Sequence, residues 1–394
     1  MNERPHYNII FIYSDKKQYV ENTKEGLQST MDTLDIDHTL LNFHTNNIPF
    51  SDFERFCIGV YFGSNDASTS ETCVELILTL LGNNILIIPV LSRTDRVEDT
   101  IPEVLRPIQA IKWIDSNSRF NLAHIILREL GLTEKERKVF LSYRRSDGQE
   151  MANQLFDALR RKRFEVFLDD FSIEIGEDFQ AKLWNSLGDY AFLVLLESPE
   201  AEESEWIFEE INFALENEIG ILILTWPDTS IRVSNTNGLN RINLTYNNIE
   251  VGSRGLKLKD AILPKILDEI ETFHASSLLN RRISLITSLE EHLNSQYRIK
   301  KLTSWFLHVE PLFVGFNPAI LGITPRKPNI KDYYAIDTLP YRNLEVDKDS
   351  RFLIHLDTAL TPGDISFINW LDQISNIKTK LMINLIYGNG LQDE

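Results

Sequence analysis

Phe192-Leu193-Val194-Leu195-Leu196, then a polar loop, then Ser204-Glu205-Trp206-Ile207-Phe208-Glu209-Glu210-Ile211, decides the fold of this chain. The first run is the short, continuous apolar stretch that fills a sheet covered on both faces. The second reads as the first turn and a half of a helix. Trp206 and Glu210 stand four apart in it, which stacks an indole beside a carboxylate on one helix face. The pair therefore lies beyond the C-terminal end of a buried strand, where open α/β sheets keep their ligand crevices. Taken alone, a W-x-x-x-E of this kind is an interfacial Trp beside a solvated Glu; the surrounding sequence argues otherwise.

Working outward, the middle third alternates strand and helix. Lys138 to Tyr143 is a strand, and Glu150 to Arg163 carries Met151, Leu155, Phe156 and Leu159 at helical spacing. Phe164 to Leu168 is a strand, Phe179 to Leu187 a helix, Gly220 to Leu224 a strand and Leu258 to Phe273 a closing helix. Such alternation predicts a parallel sheet with helices on both faces. The first third repeats the plan, with strands over Asn8 to Tyr13, Asp37 to Asn42, Phe56 to Phe62 and Ile85 to Leu91, and helices over Val20 to Thr33 and Cys73 to Leu81. Gly63-Ser64 through Cys73-Val74-Glu75-Leu76 parallels Glu197-Ser198 through Ile207 to Ile211 with one residue of slack, an internal duplication with a period of about 130 residues.

The last third differs. One or two helices are expected over Ser276 to Phe306, with Leu278, Leu279, Ile283, Leu285, Ile286, Leu289, Leu293, Ile299 and Leu302 on a broad apolar face that must bury against the chain's own final strands or against a partner. A strand at Arg351 to Leu356, a helix at Ile365 to Ile374 and a strand at Lys380 to Tyr387 complete a small α/β or α+β unit. The expected organisation is thus a first domain over 1–133, a second over 137–274 and a C-terminal domain over 276–394.

Composition narrows function. The 394 residues carry a net charge of −18, which disfavours a sequence-independent nucleic-acid binder. The basic cluster Arg160-Arg161-Lys162-Arg163 ends an amphipathic helix and reads as a solvated helix end. Cys57 and Cys73 are the two cysteines, so neither a disulfide framework nor a Cys-rich metal site is expected. The histidines show no metal-ligand spacing, and no phosphate-cradling glycine motif occurs. Met1 to His6 lacks the apolar core of a signal peptide, and the apolar stretch Cys73 to Leu91 is broken by Glu75 and Gly82-Asn83-Asn84. A soluble cytoplasmic chain without membrane or nucleic-acid partners is expected.

Residues 137 to 273 resemble a TIR domain, the Toll/interleukin-1 receptor and resistance-protein fold. Four blocks in order carry the resemblance: Val139-Phe140-Leu141-Ser142-Tyr143-Arg144-Arg145; Val166-Phe167-Leu168-Asp169-Asp170 with Ile175-Gly176; Leu196-Glu197-Ser198-Pro199; and Ser204 to Ile211. Residues 6 to 132 look like a divergent relative that keeps Phe11-Ile12-Tyr13-Ser14 but has Thr72 where the Trp would stand and lacks the Asp-Asp…Gly loop. The resemblance implies two flavodoxin-like domains with parallel sheets, the first non-catalytic.

Many members of this family cleave NAD⁺, and the resemblance implies that Glu210 is the catalytic carboxylate. It likewise implies that Tyr143, Arg144, Asp170, Glu174, Gly176, Ser198 and Trp206 bind substrate. Chemistry agrees with such a role for Glu210. Nicotinamide departs neutral, charge develops on the ribose, and a fixed carboxylate stabilises that cation. Tyr143 and Arg144 suit a base and a phosphate. Alternatives stay open nearby: Gly176 as a plain turn glycine, Asp169 and Asp170 as caps, and Trp226-Pro227 as packing rather than a pocket wall.

The expected function is an NAD⁺ glycohydrolase or ADP-ribosyl cyclase acting as an effector in bacterial anti-phage defence. NAD⁺ is then the substrate, no cofactor or metal is needed, and self-association through TIR domains is implied. The competing readings are a non-catalytic TIR adaptor or scaffold and a sensor of a nucleotide messenger. A regulatory protein or such a messenger is the further partner considered.

Overall fold

Among the described residues, buried apolar strands set three five-stranded sheets, each assembled from a contiguous third of the chain. The computed structural model describes residues 7–34, 36–48, 56–83, 85–108, 110–132, 137–168, 187–190, 192–302, 305–315, 317–337, 346–347, 350–356, 360–387 and 391. These fold as two units. One comprises Met1–Leu132, Arg282–Asp357 and Pro362–Glu394; the other comprises Thr133–Arg281 and Thr358–Thr361.

In the first sheet, β1 (Tyr7–Ile12), β2 (Leu41–Thr45), β3 (Phe56–Phe62), β4 (Leu86–Ser92) and β5 (Ile111–Trp113) lie in the order β2-β1-β3-β4-β5, every pair parallel. Between them run α1 (Lys17–Leu34), α2 (Asn65–Thr69), α3 (Glu71–Gly82) and α4 (Val97–Thr100), with α5 (Ser118–Glu129) after β5. The strand expected from Asp37 begins later. Asp37 accepts from the backbone N–H of Thr39 at 2.9 Å and caps a short 3₁₀ turn at His38–Leu40, so β2 starts at Leu41.

The second sheet comprises β6 (Lys138–Tyr143), β7 (Glu165–Leu168), β8 (Phe192–Glu197), β9 (Gly220–Thr225) and β10 (Asn240–Asn243), in the order β10-β9-β8-β6-β7 and again parallel. Taken from the opposite edge, this is the flavodoxin-like order of the first sheet. Helix α6 (Arg145–Arg161) follows β6 and α7 (Glu205–Glu216) follows β8. Strand order reverses between β6 and β8, so the crevice lies beyond their C-terminal ends.

One face of this sheet packs Phe140, Leu193 and Leu195 against Ile207, Ile211 and Ala214 of α7. Phe140 stacks on Phe167 with ring centroids 4.8 Å apart. The Arg137 guanidinium is paired with Glu271 through two hydrogen bonds of 2.6 and 2.9 Å, rests 4.1 Å over the Phe164 ring, and is 2% exposed.

A two-stranded antiparallel ribbon, β11 (Ile249–Val251) with β12 (Leu256–Leu258), precedes α8 (Leu263–Leu293). The closing helix expected from Leu258 and the helical segment expected from Ser276 are one uninterrupted helix that starts at Leu263 and stops at Leu293. Ser276 and Ser277 do not break it: the Ser276 hydroxyl bonds back to the Phe273 carbonyl at 3.0 Å, while Ser277 is buried against Gly220.

Beyond Leu293 the chain forms sheet rather than helix. Strands β13 (Tyr297–Lys301), β14 (Phe306–Pro311), β15 (Ala319–Thr324), β16 (Arg351–His355) and β17 (Ile377–Leu381) form a mixed sheet in chain order, antiparallel from β13 to β15 and parallel from β15 to β17. Leu285, Ile286, Leu289 and Leu293 pack on Leu307, Val309, Leu321 and Phe352, so the apolar face of α8 buries against the chain's own strands. Helices α9 (Ile330–Asp337) and α10 (Pro362–Ile374) contribute Tyr333, Ile336 and Leu371 to the opposite face, against Leu353 and Ile377. The strand expected over Lys380 to Tyr387 corrects to the last residues of β17 and a short helix, α11 (Met382–Tyr387), which buries Met382 and Leu385 together.

Candidate functional site

The site is built where β6 and β8 end side by side. Ser142 and Tyr143 close β6, Glu197 closes β8, and α7 begins after Ser204, whose hydroxyl accepts from the Ile207 N–H at 3.4 Å. That cap fixes the register of the helix. Ile207, Glu210, Ile211 and Ala214 face inward, while Glu209 is exposed. Glu210 is only 8% exposed, and Ser142 Oγ donates a hydrogen bond to its Oε2. A carboxylate set this deep, at the end of a sheet and held by a neighbouring strand, is preorganised to face positive charge.

Trp206, one turn earlier, lies at the surface with 44% exposure. Tyr143 is buried, with the backbone of Gly148 against its ring: a methyl group at Gly148 would meet Tyr143 Cβ at 3.2 Å and Cδ2 at 3.3 Å. Arg144 reaches across to the loop after β8. It donates to the Glu200 carbonyl and to Glu203 Oε2, the latter at 2.7 Å, with Glu200 Oε2 a further 3.6 Å contact. Hydrogen bonding to Glu203 holds the guanidinium above its ordinary range. Ser198 is fully buried and donates to Asp147 Oδ1 at 2.8 Å. Asp170, Glu174 and Gly176 lie outside the described residues.

The structure thus brings Ser142, Tyr143, Arg144, Ser198 and Glu210 to one end of the sheet, with Trp206 on its rim. Sequence reasoning did not find Glu197 and Arg241. Glu197 is fully buried and accepts from Arg241, from Thr225 Oγ1 at 2.8 Å and from the Val233 N–H at 3.0 Å. Its backbone carbonyl takes the Trp226 N–H at 3.0 Å. This network pins the 226–236 loop across the ends of β8 and β9. Trp226 is buried within that loop, 4% exposed. Burial of an acid at the end of an otherwise apolar strand was the one signal for it. Among the described residues, no group of His, Cys, Asp and Glu is arranged to hold a metal ion, and no helix is long and apolar enough to cross a membrane.

A model of the TIR domain family matches residues 139–253, the segment that forms this sheet and crevice. This segment is a TIR domain. The chain is 27% identical over 85 residues to 2' cyclic ADP-D-ribose synthase BtTIR of Bacteroides thetaiotaomicron, an alignment covering 22% of the chain and 30% of that protein. It is 30% identical over 141 residues to NAD(+) hydrolase sarm1 of Drosophila melanogaster, covering 32% of the chain and 10% of that protein. The chain therefore spans less than a third of the length of either relative. Among solved structures, the TIR domains of the activated Roq1 resistosome directly recognizing the pathogen effector XopQ are 26% identical, with a TM-score of 0.22 and coverage of 23% of this chain and 58% of that one. Within the TIR domain, Glu210 is the carboxylate of the W-x-x-x-E stretch that turns inward.

Proposed function

We propose that the TIR domain cleaves the bond between nicotinamide and ribose in NAD⁺, as a glycohydrolase or an ADP-ribosyl cyclase, with Glu210 as the catalytic carboxylate. The observation that carries this is the inward-facing Glu210 side chain at the strand-order reversal of the sheet, anchored by Ser142. The names of the two relatives, a cyclic ADP-ribose synthase and an NAD hydrolase, support the substrate class.

Nicotinamide leaves as a neutral base, so the departing group needs no proton. Positive charge gathers on the ribose instead, and Glu210 stabilises it while holding the sugar hydroxyls. Water, or a nucleophile within the same molecule, then takes the anomeric carbon and sets a linear or a cyclic product. In this reading Tyr143 packs against a base, Arg144 meets a phosphate once Glu203 lets it go, and Trp206 walls the pocket rim. Asp170, Glu174, Gly176 and Ser198, the last tied to Asp147, also bind substrate in this reading. NAD⁺ is the substrate, and no cofactor is used.

The chain then acts as a cytoplasmic effector of anti-phage defence that assembles through TIR–TIR contacts, its first domain (1–133) non-catalytic and its second (137–274) catalytic, beside a C-terminal α/β domain (276–394) to which no role is assigned. A scaffold role for the first domain is favoured by one observation: α3 presents Leu76 where α7 presents Glu210. Incubating the purified chain with NAD⁺ and following free nicotinamide by chromatography tests the enzymatic reading. Release of nicotinamide with linear or cyclic ADP-ribose is expected; intact NAD⁺ at every protein concentration leaves the adaptor reading standing.

A further inference from the structure

We propose that Ser142 is the positioning residue of the active site, locking the rotation of the Glu210 carboxylate through the hydrogen bond to Oε2; this rests on the NAD⁺-cleaving reading above. Ser142 is 1% exposed and sits two residues beyond Phe140 on β6, so both side chains point to the face covered by α7. Around it that face is apolar, with Phe140, Leu193, Leu195, Ile207 and Ile211 in one core. Only packing would be needed here if the position were structural, and an alanine or valine would satisfy it. A hydroxyl in this place has a partner: the carboxylate of Glu210, which arrives from a different element.

The consequence for catalysis is orientational. A glutamate side chain has three rotatable bonds, and α7 fixes only its Cα and the direction of departure. The Ser142 donor fixes the place of one carboxylate oxygen before substrate arrives, so the group has less to reorient as charge develops on the sugar. Strand β6 is parallel-paired with β7 over Lys138 to Leu141 and with β8 over Val139 to Tyr143, so the donor, opposite Leu195 of β8, directly follows a stretch held on both sides.

The role predicts a turnover defect rather than a binding defect. Ser142→Ala removes the donor and keeps the volume nearly constant; kcat is expected to fall by about 10-fold or more, with KM for NAD⁺ within about 3-fold of the parent. Ser142→Thr restores the hydroxyl on a residue suited to a strand and should recover most of that loss. In a Glu210→Gln background Ser142→Ala should add nothing further, because the two act as one unit. Thermal melts of each variant separate a folding defect from the kinetic one.

If the parent cleaves NAD⁺ and Ser142→Ala matches it in kcat, or if Ser142→Thr is as impaired as Ser142→Ala at parental melting temperature, the positioning role is overturned while the enzymatic reading stands. A parent that releases no nicotinamide overturns both.

Discussion

Leu76 of α3 occupies the position that Glu210 holds in α7. Each is the sixth residue of its helix. Each helix is capped by a serine, Ser70 or Ser204, whose hydroxyl accepts from the third helical N–H. Each also buries the same four places: Cys73, Leu76, Ile77 and Leu80 in one, Ile207, Glu210, Ile211 and Ala214 in the other. The matching caps remove the one-residue slack between the two stretches of sequence. They also show that Glu75 corresponds to Glu209, and both are exposed.

From that correspondence, the first sheet carries no acid where the catalytic one is proposed. Glu75→Ala is expected to leave NAD⁺ turnover within about 3-fold of the parent and to leave the melting temperature unchanged, as a surface substitution does. A loss as deep as that of Glu210→Gln, measured under the same assembly conditions, would instead make the first domain a second active site.

The two acids of the second helix should separate cleanly. Glu210→Gln keeps the shape and loses the charge, so turnover is expected to drop by at least ~100-fold. Glu209→Gln, on the solvent side, should stay near the parent. Parallel nicotinamide-release assays on the two variants check this, and an inactive Glu209→Gln beside an active Glu210→Gln would place the chemistry on the other face of α7.

Arg144 is engaged by Glu203 before any phosphate reaches it. Glu203→Gln removes a competing carboxylate while leaving a side chain of equal size. Exposed ion pairs of this kind are worth ~1 kcal/mol or less, so KM for NAD⁺ is expected to fall by about 2- to 5-fold with little change in kcat. The KM of the variant should also rise with salt more than that of the parent, because binding in the parent exchanges one screened ion pair for another. A variant KM equal to the parent's and the same at low and high salt would mean that Arg144 takes no part in binding.

The Arg137–Glu271 pair is a test of stability rather than activity. Glu271→Ala leaves a buried guanidinium without its carboxylate and should cost about 3–5 kcal/mol. For a unit of this size that corresponds to a fall in Tm of roughly 10 °C. Arg137→Met combined with Glu271→Leu should recover most of it, because two apolar side chains replace a satisfied pair without an orphaned charge. Calorimetry on the single and double variants distinguishes this from a pair of independent losses.

His308 supplies a pH dependence. Burial pushes its imidazole below the ordinary value of 6.5, more than the nearby Glu310 lifts it, and Lys300 adds to the depression. In the unfolded chain it protonates near 6.5, earlier on acidification than in the folded state. Stability is therefore fully present above about pH 6.5 and is lost as pH falls from there through the folded-state value. His44 on β2 is pushed the same way by burial. His308→Leu should flatten part of the fall in Tm between about pH 6.5 and 5; an unchanged profile would assign that slope to other groups.

Much of the fold was legible because its strands are apolar on both faces. Phe192 to Leu196 and Gly220 to Leu224 admit few alternatives once helices flank them. The misread segments share a cause. Met382-Ile383-Asn384-Leu385-Ile386-Tyr387 is a short, mostly apolar run, equally compatible with either period, and only tertiary packing of Met382 and Leu385 decides for helix. The end of α8 carries no proline or glycine to mark it, so β13 and the opening of β14 were absorbed into a helix.

At the site, Glu210 was legible from its spacing to Trp206, which survives on one helix. Ser142 on β6 meets Glu210 on α7, and Glu197 on β8 meets Arg241 on β10 two strands away, through tertiary packing that no local pattern encodes.

Gly220, at the start of β9, lies so close to Ser277 Oγ and the Phe273 ring that a methyl group has no room there. Alanine at 220 would require the Ser277 hydroxyl to turn away and the Ser277 Cβ and Phe273 ring to give by a few tenths of an ångström. The start of β9 and the middle of α8 therefore set their spacing by the absence of a single carbon, and Ser277→Gly, which would make room, weakens a long helix instead.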